Sequence, residues 1–429
     1  MLSPTSSDSR SLGKNDYRTL ALAALGGALE FYDFVVFVFF TKILSSVFFP
    51  PHSPELLRQL QTYGIFATGY LARPLGGIVI AHFGDLLGRK RMFTLSVFMM
   101  AVPTFAMGLL PTYASVGALA PALLLLLRLL QGAAVGGEVP GAWVFVAEHT
   151  PERNTGFAVG TLTAGLTAGI LLGSLIATSI NTAFDPAQVA RFGWRIPFLV
   201  GGCFGMLAVY LRRFLEETPV FKQMHAARAL SQELPLKAIA RSHLRAVLLS
   251  MALTWVLSAA IVVVILMTPT YLQTAFKVAP RVSLQANSIA ILGLTCGCVI
   301  FGWLADRIGS KWALSGGCLA LVASTLYFYY SLPLAGSALF VAYGVVGFFV
   351  GCIGVVPYIL VRAFPAKIRF SGLSSAYNVS YAIFGGLTPV VLAEWVQSDR
   401  MVYAHYVAAL AALGCALAFV PVKPAVSDA

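Results

Sequence analysis

Gly84-Asp85-Leu86-Leu87-Gly88-Arg89-Lys90 is a short polar loop between two long apolar runs, and Ala305-Asp306-Arg307-Ile308-Gly309-Ser310-Lys311 is a second copy of it. Each copy sets an Asp, a Gly three residues later and a Lys two after that. Outward from these loops, apolar runs of about 20 residues recur, each long enough to cross roughly 30 Å of hydrocarbon. They cover 19–41, 60–82, 93–111, 119–147, 157–181, 194–213, 246–272, 285–305, 313–331, 336–361, 371–395 and 402–421. The first copy follows the second run and the second copy follows the eighth, so the repeat splits the runs into two sets of six. A weaker echo relates Glu148-His149-Thr150-Pro151, after the fourth run, to Arg362-Ala363-Phe364-Pro365, after the tenth. The expected fold is all-α and polytopic, with twelve transmembrane helices in two six-helix bundles. Duplicated halves of this kind mark a rocking carrier whose site lies between the halves near the midplane.

Composition excludes a soluble reading. Of 429 residues 58% are hydrophobic and only 11% are charged, against about 25% charged in a soluble domain. The formal net charge of +12 does not form a basic domain that would suit nucleic acid. It lies in short stretches between apolar runs, and topology explains it: Arg10, Lys14, Arg89, Lys90, Arg91, Arg153, Arg307, Lys311, Arg362, Lys367 and Arg369 all fall on one side. A positive-inside bias puts that side, and both termini, in the cytoplasm. The expected organisation is a cytoplasmic tail over 1–18, a first bundle over 19–213, a central linker over 214–245, a second bundle over 246–421 and a tail over 422–429. A polar start with no cleavage site after the first run argues against a removed signal peptide. The six cysteines lie in apolar runs with no completing ligand set, so no metal or other cofactor is expected. The six histidines map near loops or span ends and read as surface or packing residues.

The loop motif resembles the inner loop of the major facilitator superfamily, with Ala81 where a Gly is common in the first copy and Ser310 in place of a basic residue in the second. The resemblance narrows to the metabolite:proton symporter family through a series of motifs in order. These are Glu30-Phe31-Tyr32-Asp33-Phe34, Arg73-Pro74-Leu75-Gly76-Gly77, Arg128-Leu129-Leu130-Gln131-Gly132, Gly136-Gly137-Glu138, Glu148 with Pro151, and Gly193-Trp194-Arg195-Ile196-Pro197-Phe198. Arg212-Arg213 with Glu216-Glu217-Thr218, and Phe384-Gly385-Gly386 with Pro389, complete it. That family includes carriers of citrate, α-ketoglutarate, shikimate, proline and betaine. The resemblance implies a bacterial inner-membrane symporter, functional as a monomer in lipid, whose partners are a small organic solute and protons.

Ionisable groups at mid-membrane depth are functional candidates because each costs several kcal/mol there. Glu30 and Asp33 sit near the middle of the first span and share a helix face. Arg73 sits mid-way along the second span, and Arg128 roughly 13 Å into the fourth. Two close carboxylates do not both ionise cheaply, and Arg128 can neutralise one by a bidentate pair. A proton on Asp33 would then release Arg128 to hold a substrate carboxylate; the resemblance to sugar:proton symporters implies the same pairing. Proton coupling is thus expected of Asp33, Glu30, Arg128 and Glu138, the last just before Pro140, which frees a backbone carbonyl. The bland alternatives are a static ion pair and a buried structural carboxylate.

Solute binding is expected of Arg128, Arg73 and Gln131 in the first half, and of Tyr377, Asn378, Tyr381, Trp255 and Tyr358 in the second, where mid-span charge is nearly absent. Tyr377 and Tyr381 are four apart and share a face, suited to hydrogen bonds or cation–π contact. Packing, or an interface belt, is the competing role for the aromatics. A cytoplasmic gating network is expected of Asp85, Gly88, Arg89, Lys90, Glu148, Arg153, Glu216, Glu217, Asp306, Gly309 and Lys311, with plain positive-inside anchoring or solvated loop charge as the alternative.

Inward symport of a small organic acid, or a zwitterion, is the leading function, since two mid-membrane arginines favour a carboxylate-bearing solute; citrate-like di- or tricarboxylates come first because Gly386-Leu387-Thr388-Pro389 and the fourth-span block resemble the citrate branch of the family. Proline- or betaine-type osmolytes come next, then proton-driven export of an organic compound. An enzyme is not expected, since no catalytic or nucleotide-binding motif is present; a sensor that binds without transport is the remaining alternative.

Overall fold

The computed structural model describes residues 12–77, 79–80, 89–136, 138–212, 243–332, 338–365 and 368–421, with only the backbone at 15, 89–94 and 212. The helices that follow the apolar runs are α1 (Lys14–Phe39), α2 (Glu55–Leu71), α3 (Arg89–Leu109), α4 (Leu119–His149), α5 (Thr155–Ala183) and α6 (Ile196–Arg212). They continue as α7 (Leu244–Ala275), α8 (Pro280–Ile308), α9 (Ser310–Ser331), α10 (Ala338–Arg362), α11 (Arg369–Trp395) and α12 (Val402–Leu417). Among the described residues, nine helices are long and apolar enough to span a membrane by length and composition, with shorter apolar helices at Leu95–Leu109 and Val402–Leu417. After α2 a further helical stretch, 73–77, carries Arg73. Helices prevail because lipid offers no partner for backbone N–H and C=O groups, so each segment must satisfy its own. Short helices at Thr41–Phe48 and Pro186–Arg191 lie in connections that the apolar-run reading leaves as loops.

Helix packing repeats with a shift of six. In the first half α1 packs on α5, α3 on α6 and α4, and α2 on α4. In the second half α7 packs on α11, α9 on α12 and α10, and α8 on α10. Between the halves α5 meets α8 and α2 meets α11, again related by the same shift. Both kinds of close contact use missing side chains. A Cβ on Gly132 of α4 would come within 1.9 Å of the Gly69 carbonyl oxygen of α2. Between the halves, a Cβ on Gly156 of α5 would lie 2.6 Å from the Gly302 carbonyl oxygen of α8.

Four helices are interrupted where a proline removes an N–H donor. Pro140 follows a turn at Gly136 in α4, and Pro269 follows a wide π-type segment, Ala260–Met267, in α7. Pro357 follows a tight 3-10 segment, Gly351–Val355, in α10, and Pro389 follows a π-type segment, Tyr381–Gly385, in α11. In each case the residue four before the proline lies in the irregular turn, whose carbonyls need side-chain donors. In α7 the Thr268 hydroxyl donates to the Val263 oxygen at 2.8 Å and the Tyr343 hydroxyl donates to Val264.

Candidate functional site

The charged groups expected at mid-depth are all interior. Arg128 is 0% exposed, Asp33 1%, Arg73 2%, Glu30 3% and Glu138 4%. Arg128 projects from α4 into a nest of phenylalanines, its guanidinium carbon 4.6 Å from the Phe34 ring centroid, 4.7 Å from Phe37 and 5.2 Å from Phe66. Its Nη1 donates to the Phe34 carbonyl at 3.2 Å and to Gln131 Oε1. The Arg128 Nε and Nη2 have no hydrogen-bond acceptor among the described residues, and Nη2 lies against Gly69, where a Cβ would be 3.2 Å away.

The expected Asp33–Arg128 ion pair is not formed. Asp33 turns instead toward the glycine face of α6, where a Cβ on Gly201 would meet its Oδ1 at 2.5 Å and one on Gly205 would meet its Oδ2 at 3.1 Å. Neither carboxyl oxygen has a hydrogen-bond donor among the described residues. Helix register gives depth, but the direction around the helix depends on which neighbour packs there. Gln131 is the link between the two groups: its Oε1 accepts from Arg128, while its Nε2 donates to the Asp33 carbonyl at 3.0 Å and to Thr104 Oγ1 at 2.8 Å. It therefore orients Arg128 and ties α4 to α1 and α3, rather than facing an opening. Glu138 lies within electrostatic range of Asp33, and Glu30 is buried one turn from Asp33 on α1.

Arg73 is enclosed by rings from both halves. Its guanidinium carbon is 5.8 Å from the Phe34 centroid, 5.4 Å from Tyr70, 5.4 Å from Tyr377 and 4.8 Å from Tyr381. The Tyr377 ring and hydroxyl stand close to the guanidinium, whereas Arg73 Nε and Nη2 have no acceptor among the described residues. Tyr70 stacks on Tyr381 across the interface at 5.4 Å, and Trp143 of α4 meets the Tyr377 ring edge-on at 5.1 Å. Asn378 donates to the Gly136 carbonyl, the one that Pro140 leaves without a helical donor. The fold thus joins Arg73, Tyr377, Tyr381 and Asn378 at one place, with Arg128 sharing the Phe34 ring beside it.

Phe34, Phe37, Phe66 and Tyr70 complete this site and escaped the sequence reading, which weighed charges. The available signal was spacing: Phe66 and Tyr70 are four apart on one face of α2, and Arg73 follows three residues after Tyr70. Trp255 and Tyr358 are not joined to the site. Trp255 stacks on Phe384 at 4.0 Å and donates to the Tyr406 hydroxyl at 2.9 Å, within the second half. Tyr358 lies under the Arg362 guanidinium at 4.4 Å, in a cavity of about 360 Å³ lined also by Glu152, Arg153 and Asp306.

That cavity marks the end expected to face the cytoplasm, and some of the gating residues meet there. Asp306 accepts the Gly156 N–H at 2.8 Å and the Phe157 N–H at 2.7 Å, so the α8 carboxylate caps the α5 N-terminus across the halves. Glu148 pairs with Arg369 at 3.5 Å, and Arg362 donates to the Glu152 carbonyl at 3.2 Å. Among the described residues Arg153 donates to its neighbour Asn154, and Lys311 is exposed. Gly309 ends α8 at φ +88°, a conformation that favours glycine. Asp85, Gly88, Glu216 and Glu217 lie outside the described residues, as do the side chains of Arg89 and Lys90. At the opposite end the buried side chains of Tyr63 on α2 and Thr270 on α7 lie close together, and Ser174 meets Ser288 at 2.9 Å between α5 and α8. The central charges are thus closed off at both ends.

Comparison with known proteins places this geometry in a family. Residues 34–389 match the Major Facilitator Superfamily. A proline/betaine transporter of Salmonella typhimurium is 33% identical over 410 residues, covering 92% of this chain and 81% of that protein. The glycine betaine/proline/ectoine/pipecolic acid transporter OusA of Dickeya dadantii is 32% identical over 418 residues, covering 92% of this chain and 81% of its own length. Among solved structures, the proton:xylose symporter XylE bound to 6-bromo-6-deoxy-D-glucose superposes with a TM-score of 0.75 at 17% identity, over 95% of this chain and 96% of that one. A D-xylose-proton symporter superposes with a TM-score of 0.71 at 20% identity, over 95% and 98%; at such identities the likeness concerns the fold. From its matched length and its packing, this chain belongs to the Major Facilitator Superfamily of membrane transporters.

Proposed function

We propose that the protein is a proton-coupled symporter of small zwitterionic osmolytes of the proline and betaine type. The observation that carries the reading is the central site itself. Two buried guanidiniums, each with N–H groups lacking an acceptor among the described residues, stand beside three tyrosines that line the seam between the halves. Guanidinium forks suit a carboxylate and tyrosine faces suit an ammonium group, so a solute carrying both charges matches the site. The sequence reading placed citrate-like acids first; the named relatives support the osmolyte alternative instead. A tricarboxylate would also leave the aromatic side of the site without a matching group.

Asp33 serves as the proton carrier in this reading. An ionised carboxyl in its position would be a buried charge without a donor, which is costly, and protonation removes that charge. Release of the proton on the low-proton side would draw Arg128 from Gln131 and toward Asp33, loosening its hold on the solute carboxylate. Glu138, within electrostatic range of Asp33, and Glu30, one turn away on α1, are the groups that would share the proton. The units 19–213 and 246–421 rock about the α2–α11 and α5–α8 contacts, the inner-end contacts of Asp306 and Glu148 opening as the outer end closes. Both termini face the cytoplasm, the membrane is the bacterial inner membrane, and one chain contains the whole site, so a monomer suffices.

Proteoliposomes with an inward proton gradient test this. Labelled glycine betaine and proline should accumulate inside, a protonophore should abolish the accumulation, and labelled citrate should stay outside. Accumulation of citrate, or gradient-driven efflux of the osmolytes, would overturn the proposal.

A further inference from the structure

Arg73 occupies the place where an organic cation would be held. Cation–π attraction acts within about 6 Å of a ring centroid, and all four Arg73 distances, 4.8 to 5.8 Å, fall inside that limit. The enclosure has two owners: Phe34 and Tyr70 stand on α1 and α2, Tyr377 and Tyr381 on α11. Its shape depends on how closely α2 and α11 approach. The guanidinium fills it incompletely as a hydrogen-bonding group, since Nε and Nη2 find no acceptor among the described residues. The site therefore holds a tethered cation with donors to spare.

We infer that Arg73 is the resident occupant of a cation subsite and that a zwitterionic solute exchanges with it. The solute's ammonium enters the ring of Phe34, Tyr70, Tyr377 and Tyr381 as the guanidinium leaves, and the solute's carboxylate takes the freed Arg73 donors. No covalent bond changes. This deepens the osmolyte reading and rests on it for the identity of the solute. A cation alone cannot make the exchange, because expelling Arg73 leaves a buried guanidinium with no counter-charge. An anion alone cannot either, because drawing Arg73 out leaves the rings without a cation. Only a molecule with both charges close together satisfies the two groups at once. The exchange also rewrites the seam: in the empty state the stretch 73–77 that follows α2 is tied to α11 by the Arg73 side chain, and in the loaded state by the solute.

Three probes separate these cases: glycine betaine, tetramethylammonium, which keeps the cation alone, and 3,3-dimethylbutanoate, which keeps the shape and the carboxylate without the ammonium charge. On purified wild-type protein, neither single-charge probe should displace labelled betaine even at about tenfold the concentration at which unlabelled betaine does. Arg73→Leu opens the ring, so direct tetramethylammonium binding should tighten by about tenfold relative to wild type, and adding Tyr381→Leu to that variant should abolish the gain. A folded Arg73→Leu protein with no gain in tetramethylammonium binding overturns the inference. So does wild-type protein from which tetramethylammonium displaces betaine as readily as betaine itself, a result that stands even where Arg73→Leu fails to fold. The tetramethylammonium gain is read without any osmolyte, so failure of the osmolyte reading, seen as no betaine binding by wild type, is distinguishable from failure of the exchange.

Discussion

Pro140 carries no N–H, so the Gly136 carbonyl four residues earlier has no helical donor, and Asn378 from the opposite half supplies one. A break in one bundle is therefore healed by a side chain of the other. Asn378→Ala leaves that carbonyl buried and unpaired, and should lower unfolding stability by about 1–3 kcal/mol, seen as a lower thermal midpoint in detergent. An unchanged midpoint would mean water or another group already serves Gly136. At Asp33 the expectation is sharper. Asp33→Asn keeps a neutral group of the same size, so counterflow exchange of osmolyte should persist while gradient-driven accumulation disappears; normal accumulation by the variant would remove Asp33 from the coupling step. Arg128→Lys should weaken osmolyte binding by about tenfold or more, because a lysine ammonium lacks the planar fork that reaches Gln131 and a carboxylate together.

At the scale of helices, close approach is a matter of absent side chains. Gly132 lets α4 lie against the α2 backbone at the level where Arg128 and Arg73 must both reach Phe34. Gly132→Val places branched carbons where 1.9 Å separates even a single Cβ from the Gly69 oxygen, and backbone has no rotamer with which to yield. The variant should lose about 1–3 kcal/mol of stability and lose osmolyte binding with it, whereas a stable variant with intact binding would show that the two helices can part without cost to the site. The irregular turns of α7, α10 and α11 belong to the same scale. Each precedes a proline, and those prolines are legible in the sequence, but whether a helix widens, tightens or kinks there depends on which hydroxyl or amide arrives to meet the freed carbonyl.

At the scale of the whole molecule, the two halves share a packing scheme but not a chemistry. Glu30, Asp33, Arg73, Arg128 and Glu138 are all in the first half, while the buried polar groups of the second are hydroxyls and amides such as Thr254, Ser258, Thr268, Asn287 and Asn378. Among the described residues, the buried charge lies on one side of the seam and the buried amides on the other include Asn287 and Asn378, while aromatic rings from both halves meet at the seam itself. Rocking requires α5 and α8 to separate at the end where Ser174 faces Ser288. A disulfide between cysteines introduced at these two positions should stop osmolyte uptake on oxidation and release it on reduction. Full uptake with the cross-link formed would place the motion elsewhere.

The number, order and length of the spans were legible because hydrocarbon thickness and backbone hydrogen bonding leave apolar chain almost no alternative to a helix. The observed helices occupy the expected runs, with the polar ends of α1, α2, α8 and α9 extending them by a few residues. The internal repeat was legible for the same reason, and so was the position of Asp33 and Arg128 along their helices, since that is a count of residues. Azimuth is not such a count. Which way Asp33 turns, which rings close over Arg73 and which carbonyl Asn378 serves depend on helices far apart in the chain approaching at one angle and one register. That choice is made by many small packing contacts acting together, and no local run of residues carries it.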